Sequence, residues 1–216
     1  MHQLDTNARD RLVSVANEIA GALPVVGTMV GEILDSVVPN LRFERVISYL
    51  KTIDEEVGNL SERLVNFEKN IKTEKGIDIF EEGIIQASRA VSNDRKCRLA
   101  RLVAKSLSAK ELKYEESRKL INLYDELTDP EIVWLIYYSF NPTLGRGAHT
   151  EYQKKHLDIL QPARVYLGSS QDEIDRSAIQ ESYKSTLLRL GLLTNENKTT
   201  KLTALGRLLI RYIENA

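Results

Sequence analysis

Two groups of side chains in this sequence have the types and spacing to do chemistry, and neither is a catalytic constellation. The first is basic. Between Arg176 and Tyr212 stand Arg176, Lys184, Arg189, Lys198, Lys201, Arg207 and Arg211, against only Glu181 and Glu196. A local positive surplus attracts phosphate, which makes Lys184, Arg189, Lys198 and Lys201 the candidate nucleic-acid contacts. Gln180, Ser182, Lys184, Ser185 and Arg189 would share one helix there, with reach enough for base edges. That helix lacks the dense Arg and Asn of strong base readers, so protein contact or simple packing is the competing reading. The second group is apolar. Ile19 to Gly31, IAGALPVVGTMVG, carries no charge in a chain that is 28% charged. Gly21, Pro24, Val25, Val26, Gly27, Val30 and Gly31 are its candidate self-association or membrane residues. Glycines four apart, as in Gly27-x-x-x-Gly31, let two backbones approach closely, against another helix or inside a bilayer.

Acids bound what the apolar segment can do. Glu18, Glu32 and Asp35 border it. Drawing Glu32 and Asp35 into a bilayer would cost about 2–3 kcal/mol each. Pro24 removes a backbone donor and breaks or kinks the segment near Leu23. No uncharged run in the chain approaches the roughly 20 residues of a spanning helix. The expectation is a close-packing helix, buried or paired at rest, that meets lipid only after a rearrangement.

The remaining reactive residue types lead nowhere by spacing. Cys97 sits between Lys96 and Arg98, neighbours that would lower an exposed thiol's pKa, but no nucleophile–base pair assembles around it. His149 and His156 flank Glu151 at a separation that does not make a metal pair, and they read as surface histidines. Asp54-Glu55-Glu56 and Glu115-Glu116 alternate with bases, as on solvated helix faces. The phosphate-binding, dinucleotide, zinc-protease and nucleophile-elbow motifs are missing, and Gly145-Arg146-Gly147 is too short to replace them. The sequence therefore predicts no enzyme, no cofactor and no metal site.

The elements that must position these groups are helical. The chain has 216 residues, 42% of them hydrophobic, and a net charge of −1, so a core can be buried and no global basic field exists. The N-terminal MHQLDTNARDRL is polar and has no signal-peptide form, and the single cysteine fits a reducing compartment. The expected location is the cytoplasm, with peripheral attachment at the inner membrane as an extension. Leu12 to Val38 reads as one or two helices. From Leu41 to about Lys72, Ile47, Leu50, Ile53, Val57, Leu60, Leu64 and Ile71 recur at threes and fours. That stripe predicts one helix of about 45 Å at 1.5 Å per residue, suited to a bundle or to pairing between chains. Shorter helices follow, one through Phe80 and Ile84 and one through Leu99 and Leu107. Another is expected to start from a capping box at Ser108 and Glu111. Asp129-Pro130 starts a further helix, and EIVWLIYYSF from Glu131 is apolar on all sides, as a central helix would be.

The loop composition of Asn141 to Thr150, NPTLGRGAHT, sets the expected organisation: a helical bundle over 1–140, a linker over 141–150 and a small unit over 151–216. In the last unit a helix from Asp172 runs into Leu190-Gly191-Leu192-Leu193, a polar turn follows, and LT-x-x-G restarts a helix at Leu202. This resembles the end of a winged-helix domain, with Leu192–Thr194 and Lys201–Thr203 as its two wing strands. The predicted fold class is all-α, a helical bundle with one long amphipathic helix plus a winged-helix-like unit with a short β-hairpin.

The order of features carries a wider resemblance. LPVVG…G precedes Val38-Pro39-Asn40-Leu41-Arg42-Phe43-Glu44-Arg45, and FEEGIIQASRAVS, LYDELTDPEIVWL and the LT-x-LG tail follow. Together they resemble the small helical bacterial proteins of the Abi-alpha, abortive-infection type. The N-terminal half also resembles the HeLo-like bundles of cell-death effectors, which carry a glycine-containing hydrophobic leader. The resemblance implies a bacterial, non-enzymatic phage-defence component. The residues add the expectation of a homo-oligomer or protein partner: self-association through residues 12–72, with the Ile19–Gly31 segment deployed toward a membrane or a partner after a trigger. A winged-helix DNA-binding regulator with a helical dimerisation region is the alternative.

Overall fold

A computed structural model describes residues 43–58, 61–140, 147–163, 165–196 and 199–214. All seven candidate residues of the N-terminal apolar segment, from Gly21 to Gly31, lie outside these, as do Lys198 and most of the expected linker. The described chain is helical apart from one hairpin. Helices α1 (Phe43–Gly58), α2 (Ser61–Ile71), α3 (Glu74–Arg89), α4 (Asn93–Leu107) and α5 (Tyr114–Glu126) come first. Then follow α6 (Asp129–Tyr137), α7 (Ala148–Lys155), α8 (Leu157–Leu160), α9 (Gln171–Arg189), β1 (Leu193–Glu196), β2 (Thr199–Leu202) and α10 (Ala204–Ile213). Among the described residues, no helix is long and apolar enough to cross a membrane.

The chain divides into two compact units. One holds the described residues of 43–125 together with 212–214, and the other is Glu126–Arg211. The division falls between Asp125 and Glu126, and residues 148–150 form the first turn of α7.

In the first unit the apolar stripes face inward as their spacing requires. Tyr49, Leu50, Ile53 and Val57 of α1 are buried with Phe80 and Ile84 of α3 and with Leu99, Leu102 and Val103 of α4. Each fully buried side chain of this size contributes about 1.5–3 kcal/mol. The expected single long helix is two helices, α1 and α2, with the stripe divided between them. Gly58 is the last residue of α1. The expected capping box at Ser108 is also not formed. Ser108 is the C-cap of α4, its backbone N–H donating to the Ala104 carbonyl at 2.8 Å, and the next helix starts only at Tyr114.

Long polar side chains close the helix ends that the sequence left open. Arg45 of α1 donates to the Ser88 and Arg89 carbonyls at the end of α3, both at 3.3 Å. The Asn70 amide of α2 donates to the carbonyl of Leu107, the last residue of α4, and to that of Ala109 just beyond it, at 2.8 and 2.7 Å. Arg95 of α4 donates to the Tyr124 carbonyl near the end of α5 at 3.1 Å, and its guanidinium lies over the Tyr124 ring. The last carbonyls of a helix have no partner within it, and these donors supply one. Across α3 and α5, Arg118 pairs with Asp78 and Glu82, each at 3.2 Å. Residues 212–214 join the unit through Tyr212, which donates to Glu116 at 2.9 Å, and Glu214, which accepts from Arg98 at 2.6 Å.

In the second unit α6 is capped by Thr128, one residue before the expected Asp129. Glu131 is the reciprocal partner of that capping box, and Pro130 lies in the first turn. Glu131, Ile132, Val133, Leu135 and Ile136 are buried, so α6 is the core of its own unit, as its all-round apolarity required.

Candidate functional site

The stretch from α8 to α10 is the part of the described chain where candidate contact residues gather. Its frame is built by short-range rules. Ser170 caps α9 in a second capping box with Glu173. Hydrogen bonds to the Ser170 backbone and hydroxyl hold the Glu173 carboxyl below its ordinary range. At the other end, Gly191 takes φ +70°, the left-handed conformation that glycine adopts without strain. Its N–H donates to Leu188 and that of Leu192 donates to Leu187, both at 3.0 Å, which closes α9 in a Schellman turn. Leu187 and Leu192 are both fully buried beneath it.

The turn leads straight into the hairpin, in which Leu193 pairs with Leu202, Thr194 with Lys201, Asn195 with Thr200 and Glu196 with Thr199. The expected strand positions therefore shift outward along the turn by one to two residues. The LT-x-x-G sequence has a structural role here. Thr203 accepts from the Gly206 N–H at 3.0 Å and donates to the Gly191 carbonyl at 2.7 Å. A Cβ on Gly206 would fall on the Leu192 carbonyl oxygen, so only glycine lets α10 approach the turn this closely.

The basic candidates sit on this frame in different environments. Lys184 is half-buried on α9. Arg189 is exposed in its last turn, 3.5 Å from Glu126. Lys201 is exposed on β2, 2.9 Å from Glu196. Arg207 donates to the Leu202 carbonyl at 2.9 Å. Pairs this exposed contribute about 0–1 kcal/mol, so Arg189 and Lys201 can exchange their acids for another anion at little cost. Gln180 is committed within the unit: it donates to the Ile159 and Gln161 carbonyls and accepts from the Ala163 N–H. It braces the 159–163 segment against α9 and is not free to read a base.

The same unit carries a second feature, one that the charge pattern did not point to. Six of the eight large apolar side chains exposed among the described residues fall between Leu157 and Ile179: Leu157, Val165, Tyr166, Leu167, Ile174 and Ile179. Leu167 is fully exposed. A groove of about 320 Å³ runs between α8 and α9, lined by Asp158, Asp172, Asp175 and Arg176 together with Ile159 and Ile179. The sequence held a signal for part of the exposed apolar group. Val165-Tyr166-Leu167 is an apolar triplet set between Pro162 and Gly168-Ser169-Ser170, in turn composition where no core segment can form.

The other reactive groups are held structurally. His149 stacks on Tyr137 with ring centroids 4.5 Å apart, and His156 stacks on Tyr152 at 4.6 Å. Burial pushes the Tyr137 and Tyr138 hydroxyls up from their ordinary range. Cys97 is half-buried beside Thr52 and Asn93. Lys105, which the sequence reading passed over, borders a small cavity with Glu56 and Arg63. Burial lowers its pKa, and its ammonium donates to the Glu214 carbonyl at 2.7 Å. Among the described residues, no group of three or more His, Cys, Asp or Glu side chains is placed to hold a metal ion.

Comparison with protein-family models, with curated proteins and with solved structures finds no match for this chain.

Proposed function

We propose that this protein works by binding protein rather than by catalysis, as a self-associating helical component of bacterial phage defence of the abortive-infection type. The observation that carries the binding half of this reading is the cluster of exposed apolar side chains between Leu157 and Ile179. The defence half rests on the resemblance carried by the LPVVG leader, the VPNLRFER turn and the LT-x-LG tail. The Ile19–Gly31 segment is then the part deployed, toward a membrane or a partner, after a trigger. The test is expression of the full chain in bacteria challenged with phage, with a membrane-potential dye and fractionation in parallel. Phage yield should fall with the full chain and recover with Ile179→Glu. Gly27→Leu with Gly31→Leu should remove any depolarisation. Equal phage yields with and without the full chain would overturn the defence reading.

One observation favours a second reading. The β1–β2 hairpin follows α9 directly, and Arg189, Lys201 and Arg207 are exposed around it. On this reading the tail is a winged-helix DNA-binding unit. Duplex DNA should then bind with an affinity that falls steeply with salt, and Arg189→Ala should reduce the salt slope by about one. Absence of salt-sensitive binding would remove this reading.

A further inference from the structure

The small cavity beside Lys105 lies within the first unit and is walled by three of its helices. Glu56 comes from α1, Arg63 from α2 and Lys105 from the last turn of α4, with Ser108 just beyond that turn. The volume is about 120 Å³, enough for several waters or for one tetrahedral oxyanion in their place. Two of these residues carry polar groups that the packing leaves unused. The Ser108 hydroxyl oxygen is buried and, among the described residues, has no hydrogen-bond partner. Buried polar atoms are nearly always bonded, so an orphan in the wall of a cavity points to something inside it. Arg63 stands exposed, with no hydrogen bond or ion pair to another described residue.

The charges around the cavity leave a positive surplus. Lys105, Arg63 and Arg101 stand against Glu56 and Glu214. Both acids already face a guanidinium: Glu56 accepts from Arg101 at 2.9 Å, and the Glu214 carboxylate accepts from Arg98 at 2.6 Å. The carbonyl end of α4 opposes an anion, but the Ala104 carbonyl there is taken by the Ser108 N–H and the Leu107 carbonyl by the Asn70 amide. Burial lowers the Lys105 pKa, and Arg101 and Arg63 push the same way against Glu56 and Glu214. An ammonium pressed toward its neutral form in this way is one that a neighbouring anion stabilises. We propose that the cavity is a phosphate site, in which Arg63, Lys105 and the Ser108 hydroxyl hold inorganic phosphate or the terminal phosphate of a small phosphomonoester. Arginine and lysine both meet phosphate through charge-assisted hydrogen bonds, the first as a fork and the second as a point charge. Arg63 lies at the exposed rim, so an ester oxygen has room to face outward. Bound phosphate then ties α2 to the end of α4. The inference is independent of the interaction reading above.

The test titrates the full chain with inorganic phosphate and, separately, with adenosine monophosphate, by calorimetry at an ionic strength held constant with chloride. One saturable site should appear at millimolar phosphate or below, and saturation should raise the melting temperature. Arg63→Ala should weaken binding by about tenfold or more. Ser108→Ala should weaken it by about two- to tenfold, the worth of one neutral hydrogen bond. Lys119→Ala removes an exposed base on α5, outside the cavity, and should leave the affinity unchanged. Arg63 is exposed, so its variant keeps the fold and decides the matter even where the Ser108 variant does not fold. Arg63→Lys should recover part of the loss. Tighter binding of adenosine monophosphate assigns the phosphomonoester source, and binding of inorganic phosphate alone assigns the free ion; either supports the site. Absence of saturable binding by both ligands would overturn the inference and leave the cavity to water. Phosphate binding indifferent to both Arg63→Ala and Ser108→Ala would also overturn it, by placing the anion elsewhere on the chain.

Discussion

Replacing Asn70 tests the architecture of the first unit at one atom. Asn70 is 4% exposed, and its amide nitrogen supplies hydrogen bonds to two carbonyls, Leu107 at 2.8 Å and Ala109 at 2.7 Å. Asn70→Ala leaves both oxygens without that donor. A buried acceptor that loses its partner costs about 1–3 kcal/mol, and here one site is buried and the other only partly, so the expected loss is about 2–4 kcal/mol. For a unit of this size that lowers the melting temperature by roughly 10–20 °C. Asn70→Asp has the same shape but, when ionised, no proton to donate. It sets a carboxylate against two carbonyl oxygens at the negative end of α4, so at neutral pH it should destabilise more than Asn70→Ala. Its deficit should narrow as the pH falls below about 4, where the carboxyl regains one donor. Thermal and urea unfolding followed by circular dichroism give both numbers. A melting temperature within about 2 °C of the parent for Asn70→Ala, or an Asn70→Asp variant no worse than Asn70→Ala at neutral pH, would refute the assignment.

Two further outcomes concern Tyr49 and Gly83. A Cβ on Gly83 would fall on the Tyr49 hydroxyl and crowd Val103, so Gly83→Ala should cost about 1–3 kcal/mol. The Tyr49 hydroxyl is fully buried with no hydrogen-bond partner, so Tyr49→Phe should be neutral or stabilising and should recover part of the Gly83→Ala loss in a double-mutant cycle. Strict additivity would count against the contact. Burial also holds this hydroxyl well above its ordinary pKa of 10.0. The folded chain thus keeps a proton that the unfolded chain releases above pH 10, and its contribution to stability is full below that pH and lost above it. Tyr49→Phe should flatten the alkaline loss of stability in urea unfolding above pH 10, and an unchanged slope would contradict it.

The helices were legible where periodicity and burial coincide. Phe80, Ile84 and Ala87, then Leu99, Leu102, Val103 and Leu107, are buried as their spacing required. The same signal hid the break between α1 and α2. Ile53 and Val57 on one side and Ile71 on the other turn to a common interior, so the apolar rhythm carries on across Gly58. Ser108 failed for a different reason. Ser-x-x-Glu suits the start of a helix, but Ser108 holds a helical backbone conformation that completes α4, and Asn70, 37 residues before Leu107, donates to the Leu107 and Ala109 carbonyls on either side of it. At the candidate surface the bases could be read by type. The acids that hold Arg189 and Lys201 could not be assigned, because such pairings are made by the fold. Ile174 and Ile179 look like core residues in sequence, and only their exposure marks them as surface.

The three donors that close helix ends have an order with consequences for biosynthesis. Arg45 precedes the carbonyls it closes by 43 and 44 residues, Asn70 by 37 and 39, and Arg95 by 29 and 30. A chain leaving the ribosome from its N-terminus therefore completes each of α3, α4 and α5 with that long donor side chain already outside. Glu214 reverses this order. Its carboxylate reaches Arg98 only after Glu126–Arg211 has been made, so the last fastening of the first unit is withheld until synthesis has delivered the second.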